Sequence, residues 1–264
     1  METVPAQNVS LTGQVMLYRQ PELLSRELHG DLGMNASPTR FGFAAQAHIC
    51  PLTVPEFAAA SLSFPVIFVG DQMSPVVVLG LQEGQNLFMD ENGYLADVYV
   101  PCYIRRYPFV LAGGDGEDRM LVAIDRAYEG IGKNAQYPFF EKNGEPTEYT
   151  QNSIKFCNDF ETQNRMTASF VALLKELDLL ESRETTYRPQ AADGTQGEPQ
   201  TLAQYYAVSE TKLNALPAEK LAELRDNGAL QQIYAHLNSL MGWERLLIRA
   251  SALAAAQTPV AANA

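Results

Sequence analysis

"FPVIFVGDQMSPVVVLGL", Phe64–Leu81, carries two runs of β-branched and aromatic residues around the breaker Gly70–Pro75. Such side chains fit a pleated, half-buried surface, and Gly, Asp, Ser and Pro supply the turn chemistry between them. The stretch reads as a β-hairpin. The same signature returns downstream, where "FVLA" (109–112) and "MLVAID" (120–125) flank "GGDGEDR" (113–119). Between the two hairpins, "NLFM" (86–89) reads as a strand and "DENGY" (90–94) as an Asn-Gly turn. "PCYIRRY" (101–107) reads as a helical turn or two, opened by Pro101 and closed before Pro108. Upstream, "TVPEFAAASL" (53–62) predicts a short helix with Thr53 near the N-cap and Pro55 in its first turn. "FGFAAQAHI" (41–49) predicts a strand, and residues 1–37 predict extended or irregular structure.

The second half changes character. Residues 128–147 are rich in loop signals, and a helical period follows over about 150–179. There Phe156, Cys157, Phe160, Thr167, Val171 and Leu174 share one face, with Asn164 among them as a polar-cavity or backbone-bonding residue. "ETTYRP" and "QTLAQYYAV" predict another hairpin with a floppy tip, "QAADGTQGEP". Ser209 caps a short helix, Pro217 opens a second that Gly228 ends, and a last helix is expected from about Ala229 to Ala254. Strands followed by helices argue for α+β rather than alternating α/β. The expected fold is a strand-rich N-terminal half with antiparallel hairpins and a mainly helical C-terminal half with one further hairpin. No composition break marks a linker. One domain is expected over residues 1–255, with a disordered tail over 256–264.

The chain has 264 residues, a net charge of −12 and 46% hydrophobic residues, the balance of a globular protein with a real core. That acidity argues against a nucleic-acid binder and against docking on anionic lipid. No apolar run approaches a membrane span. Cys50, Cys102 and Cys157 form no CxxC and read as reduced, buried thiols. His29, His48 and His236 have no ligand spacing and read as structural. No zincin, Walker, nucleophile-elbow or dinucleotide motif is present, so no metal or cofactor is expected and no catalytic residue is named. "METVPAQNVSLTGQ" lacks a Sec-type signal, and the expectation is a cytoplasmic protein, with signal-less export to the cell surface left open.

One segment asks for an explanation. In "YVPCYIRRYPFVL" (99–111), Arg105 and Arg106 stand among apolar and aromatic residues. A buried guanidinium needs an anion. At 100° per residue the two side chains diverge and do not easily share one ligand. Two readings stay open: each arginine meets an internal carboxylate, or one of them caps a pocket for an anionic ligand or a peptide carboxylate. Glu83, after an apolar strand and before Gly84, is a candidate inward-turned partner. Glu244 is another, either inside the apolar stripe Leu230, Ile233, Tyr234, Leu237, Leu240, Met241, Leu247 and Ile248, or at a helix end where the stripe has left the core. Trp243, Leu246 and Leu253 lie off that stripe, and a second apolar face means either a fully buried helix or an interface. The candidate binding set is Arg105, Arg106, Glu83, Tyr103, Tyr107 and Glu244.

"VVVLGLQEGQNLF" (76–88), "YVPCYIRRYPF" (99–109), "FVALLKELDLLE" (170–181) and "KLNALPAEKLAELRDNGALQQIYAHLNSL" (212–240) resemble the SapC family of bacterial proteins, over roughly residues 14–245. The resemblance implies a gene first named in a surface-layer locus. It also implies neighbours encoding flavin-dependent halogenase-like, cupin-type oxygenase-like and outer-membrane receptor proteins. Some members carry a peptide-permease label, which this sequence contradicts for want of a span. The family supplies no catalytic residues to carry over. Three functions follow as expectations. The first is a non-catalytic binding or accessory protein for a protein or peptide partner, such as the product of a neighbouring halogenase-like or cupin-like gene. The second is an enzyme with an Arg/Glu-lined pocket for an anionic substrate, and the third a surface-layer component.

Overall fold

In the computed structural model, which describes residues 16–113, 120–188 and 197–257, the hydrophobic runs become strands and the periodic segments helices. In chain order the first half holds β1 (Pro21–Leu23), α1 (Arg26–His29), β2 (Leu32–Met34), β3 (Ile49–Pro51), α2 (Phe57–Ser61), β4 (Val66–Val69), β5 (Ser74–Val78), β6 (Met89–Asp90) and β7 (Gly93–Tyr94). Then come α3 (Cys102–Arg105), β8 (Phe109–Gly113), β9 (Met120–Asp125), β10 (Ile131–Lys133), β11 (Tyr137–Pro138) and α4 (Glu148–Glu176). The last part holds β12 (Leu180–Tyr187), β13 (Gln200–Val208), α5 (Glu210–Asn214), α6 (Ala218–Asp226), α7 (Ala229–Ser239) and α8 (Gly242–Gln257). Antiparallel sheets in the N-terminal half and helices in the C-terminal half make the fold α+β, as the sequence predicts. The turn 114–119, most of the 190–199 tip and tail residues 258–264 lie outside the described residues, whereas Ala256 and Gln257 close α8 rather than open a tail.

The chain forms two compact units: residues 1–44, 91–94 and 102–162 in the first, and 45–90, 95–101 and 163–264 in the second.

The first unit has two small antiparallel sheets, ordered β1-β9-β8 and β10-β2-β11. Leu32, Met34, Phe109, Ile124, Ile131, Phe139 and Cys157 form its main core cluster. Of residues 1–37, expected to be extended or irregular, 1–15 lie outside the described residues; 21–34 hold the extended strands β1 and β2, captured by β9 (Leu23 opposite Ala123) and β10, with the short helix α1 between them as the departure. One carboxylate ties this unit together. Asp125 is fully buried and accepts from the backbone N–H groups of Arg19 (3.0 Å), Gln20 (2.8 Å) and Ala127 (3.2 Å) and from the Tyr107 hydroxyl (2.8 Å). Four donors satisfy a charge that would otherwise be costly inside a protein.

The second unit is built on the opening hairpin. Val66 pairs with Val77 and Val69 with Ser74, inside a five-stranded antiparallel sheet ordered β12-β13-β4-β5-β3. Val66, Ile67 and Phe68 are all buried, which is why this strand reads as a continuous apolar run. The 41–49 strand is corrected. Phe41 takes φ +53° and Gly42–Ala44 make a 3₁₀ turn, so the strand begins only at Ile49. The Thr53 cap is present, and the Glu56 carboxylate, itself buried, receives the Thr53 N–H (3.0 Å), the Thr53 hydroxyl (2.7 Å) and the Tyr99 hydroxyl (2.9 Å).

His236 does structural work in this unit. Tyr206 pairs with Phe68, so Val208 falls opposite Val66 in the antiparallel register. The imidazole stands between those two residues: Nδ1–H donates to the Val66 carbonyl (2.9 Å) and Nε2 accepts the Val208 N–H (3.0 Å). Ser239 Oγ accepts the Val66 N–H (2.9 Å), so α7 satisfies both backbone groups of one buried strand residue. Accepting at Nε2 while donating from Nδ1 needs neutral histidine, and burial pushes its pKa from 6.5 down to about 4. Between those values the unfolded chain binds a proton that the folded chain refuses. Stability therefore falls as pH drops from about 6.5 towards 4, by about 3 kcal/mol in all. Urea unfolding at pH 7 and pH 4, compared with His236→Gln, should show that the variant has lost this part of the slope.

The single last helix is also corrected. It breaks at Leu240–Met241 into α7 and α8. Ser239 donates to the His236 carbonyl in the last turn of α7, and Gly242 then meets the Phe64–Pro65 backbone so closely that an added Cβ would lie 2.8 Å from Pro65 N. The break resets the helical phase. Trp243 and Leu246 become the buried face, while Met241, Ile248 and Leu253 of the expected stripes are exposed.

Candidate functional site

The arginine pair lies in the first unit, at the end of α3. The Arg106 N–H donates to the Cys102 carbonyl (2.9 Å), which closes the turn, and Pro108 prevents its continuation. Tyr103 and Ile104 face inward, Arg105 is exposed and Arg106 half-buried. The two guanidinium groups part, as the 100° step requires. Arg105 lies 5.4 Å from the Phe156 ring centroid, and its Nη2 donates to Cys102 Sγ (2.8 Å). Arg106 lies 4.3 Å from the Phe160 ring, 4.5 Å from Tyr103 and 5.8 Å from Tyr18. Phe156 and Phe160 stand one turn apart on α4, each beneath one arginine.

The internal-carboxylate reading is not met at Arg106. No ion pair among the described residues involves it, and its Nε is sealed from water without a hydrogen-bond partner among those residues. Aromatic faces take the place of an anion there, worth about 0.5–2 kcal/mol each depending on desolvation.

Beside the pair opens a cleft of about 290 Å³. Arg105, Arg106, Tyr107 and Phe109 form one side, and Tyr149, Asn152, Ser153 and Phe156 the other. The second set has spacing i, i+3, i+4, i+7, one face of α4. That spacing is a signal present in the sequence, masked where a helix is expected only from about 150 and Phe156 falls on its apolar face.

The tyrosine hydroxyls are mostly committed. Tyr103 donates to the Met16 carbonyl (2.8 Å), Tyr18 to the Phe109 carbonyl (2.6 Å) and Tyr107 to Asp125. Tyr103 thus contributes a ring to Arg106, and Tyr107 a wall to the cleft. Burial pushes the Tyr149 phenol up to about 12, so it remains an O–H donor at neutral pH. Burial also raises the Cys157 thiol to about 11, against the opposing pull of the Arg106 charge. The thiolate fraction at pH 8 is then on the order of one in a thousand, and alkylation of Cys157 is expected to be undetectable before unfolding. Mass-spectrometric labelling by iodoacetamide with and without urea checks this. All three cysteines are free and buried, as expected.

The two glutamates belong to the second unit. Glu83 belongs to the second unit and is exposed in a turn that Gly84 closes at φ +78°; the expectation that it turns inward is corrected. Glu244 also belongs to the second unit, exposed in the first turn of α8. Of its two readings the helix-end position is the one observed, where its charge suits the helix N-terminus. Asn164 is exposed and lines an open cleft of about 470 Å³ in the second unit with Pro75, Thr167 and Lys175.

Among the described residues no helix is long and apolar enough to cross a membrane, and no group of three His, Cys, Asp or Glu side chains is placed to hold a metal ion. An α+β chain with an arginine-bearing, aromatic-walled cleft is the class defined by this geometry. The SapC family model matches residues 24–246, and the chain belongs to the SapC family. No curated protein and no solved structure matches it.

Proposed function

We propose that this SapC-family protein is a non-catalytic binding or accessory protein that recognises a protein or peptide partner through the Arg105–Arg106 cleft. The observation that carries this reading is the half-buried Arg106 guanidinium. It is held over aromatic rings, Arg106 is among the residues that line the cleft, and no ion pair among the described residues involves it. The cleft lining supports recognition rather than chemistry, because among the described residues it offers no carboxylate, imidazole or thiol to take a proton. Glu83, the base of the enzymatic reading, is an exposed turn residue of the other unit. The family resemblance makes the products of neighbouring halogenase-like and cupin-like genes the first partners to try.

A photocrosslinking residue placed at Asn152, on the rim, should yield one discrete protein adduct in native cells. The same residue at exposed Leu28 of the same unit should not. Equal adducts from both positions, or none from Asn152, would count against the cleft as the recognition site.

A further inference from the structure

The chemistry of the lining defines what part of a partner the cleft takes. Among the described residues its charged groups are Arg105 and Arg106, in a chain of net charge −12, so the complementary group is an anion. The other polar groups distinguish among anions. Ser153 spends its proton on the Tyr149 carbonyl one turn back (2.9 Å), so towards the cleft its oxygen is an acceptor. The exposed Asn152 amide adds both an acceptor and donors. Phe109, Tyr149 and Phe156 supply apolar wall. A bare inorganic anion would leave the acceptors and the rings unused. A ligand that uses all three features carries a carboxylate, an adjacent N–H and an apolar side chain. That is the last residue of a polypeptide. The cleft volume, about 290 Å³, is at the small end of ligand sites, suited to an end group rather than to a long segment.

Resting on the binding role above, we infer that the cleft recognises the C-terminal carboxylate of a partner chain that ends in an apolar or aromatic residue. Arg106 is the principal carboxylate donor. Its planar fork suits a carboxylate, and its stacking on Phe160 and Tyr103 holds the fork in place before binding. Ser153 accepts the N–H of the terminal residue.

The test is a ¹⁵N NMR titration of the full chain with three probes: N-acetyl-phenylalanine, N-acetyl-phenylalaninamide and phenyl phosphate. The carboxylate should bind at least tenfold more tightly than the amide, because the amide lacks the charge. It should also bind more tightly than phenyl phosphate, which has no N–H for Ser153. Ser153→Ala, an exchange that removes only one hydroxyl, should narrow the preference over phenyl phosphate severalfold. Arg106→Gln should abolish the preference over the amide. Equal affinity for acid and amide, equal affinity for phenyl phosphate, or no binding of the acid would each overturn the inference. If the probes fail while the Asn152 crosslink persists, the partner uses another part of its surface and the broader reading stands. If both fail, both readings fall.

Discussion

Asp125→Ala is expected to destabilise the protein by about 3–5 kcal/mol, since hydrogen bonds to a charged group contribute about 1.5–3 kcal/mol each and do not add fully. The substitution strands three backbone N–H groups, those of Arg19, Gln20 and Ala127, and the Tyr107 hydroxyl around a fully buried position. Asp125→Asn keeps one oxygen acceptor and should cost clearly less. Urea unfolding of the two variants measures the difference. A loss below about 1 kcal/mol for the alanine variant would mean that water replaces the carboxylate, against the burial described.

In the second unit the largest effect is expected from Phe57→Ala. Phe57 is fully buried and meets Phe68 and Phe170 edge-on, with ring centroids 6.3 and 5.9 Å away. It joins α2 to β4 and to the C-terminal part of α4. Truncation removes a full aromatic side chain and leaves a cavity that two neighbouring phenylalanines cannot fill, at a cost of about 3–5 kcal/mol. Phe57→Leu should recover more than half of that loss in the same unfolding measurement.

Local elements were legible where one rule dominated. The Phe64–Leu81 hairpin follows from two β-branched runs around a breaker, and the Pro101–Pro108 bracket contains α3. The pattern failed where tertiary contacts outvote local preference. β1 and β2 carry weak strand signals and exist because β9 and β10 capture them. The α7–α8 break has no proline to announce it. It depends on the approach of Gly242 to Phe64–Pro65, residues nearly two hundred positions earlier in the chain. At the candidate site, the divergence of Arg105 and Arg106 was readable from helix geometry, but their aromatic partners Phe156 and Phe160 lie about fifty residues downstream. Carboxylates are the partners that a sequence suggests for such arginines, here Glu83 and Glu244, because nothing in a single sequence says that a ring face can take an anion's place. The buried roles of Asp125 and Glu56 are silent in the sequence for a related reason. Their donors are largely backbone N–H groups and tyrosine hydroxyls, which leave no charge pattern to read.

The most direct measurement of the account is the affinity of the partner captured at Asn152 for wild type and for Arg106→Met, with melting temperatures compared first. Methionine retains an unbranched apolar stem over Phe160 and Tyr103, so the melting temperature should move by no more than a few degrees. Loss of the guanidinium should weaken binding at least tenfold, the loss of about 1.4 kcal/mol or more. Unchanged affinity at unchanged stability would contradict the claim that Arg106 meets an external anion.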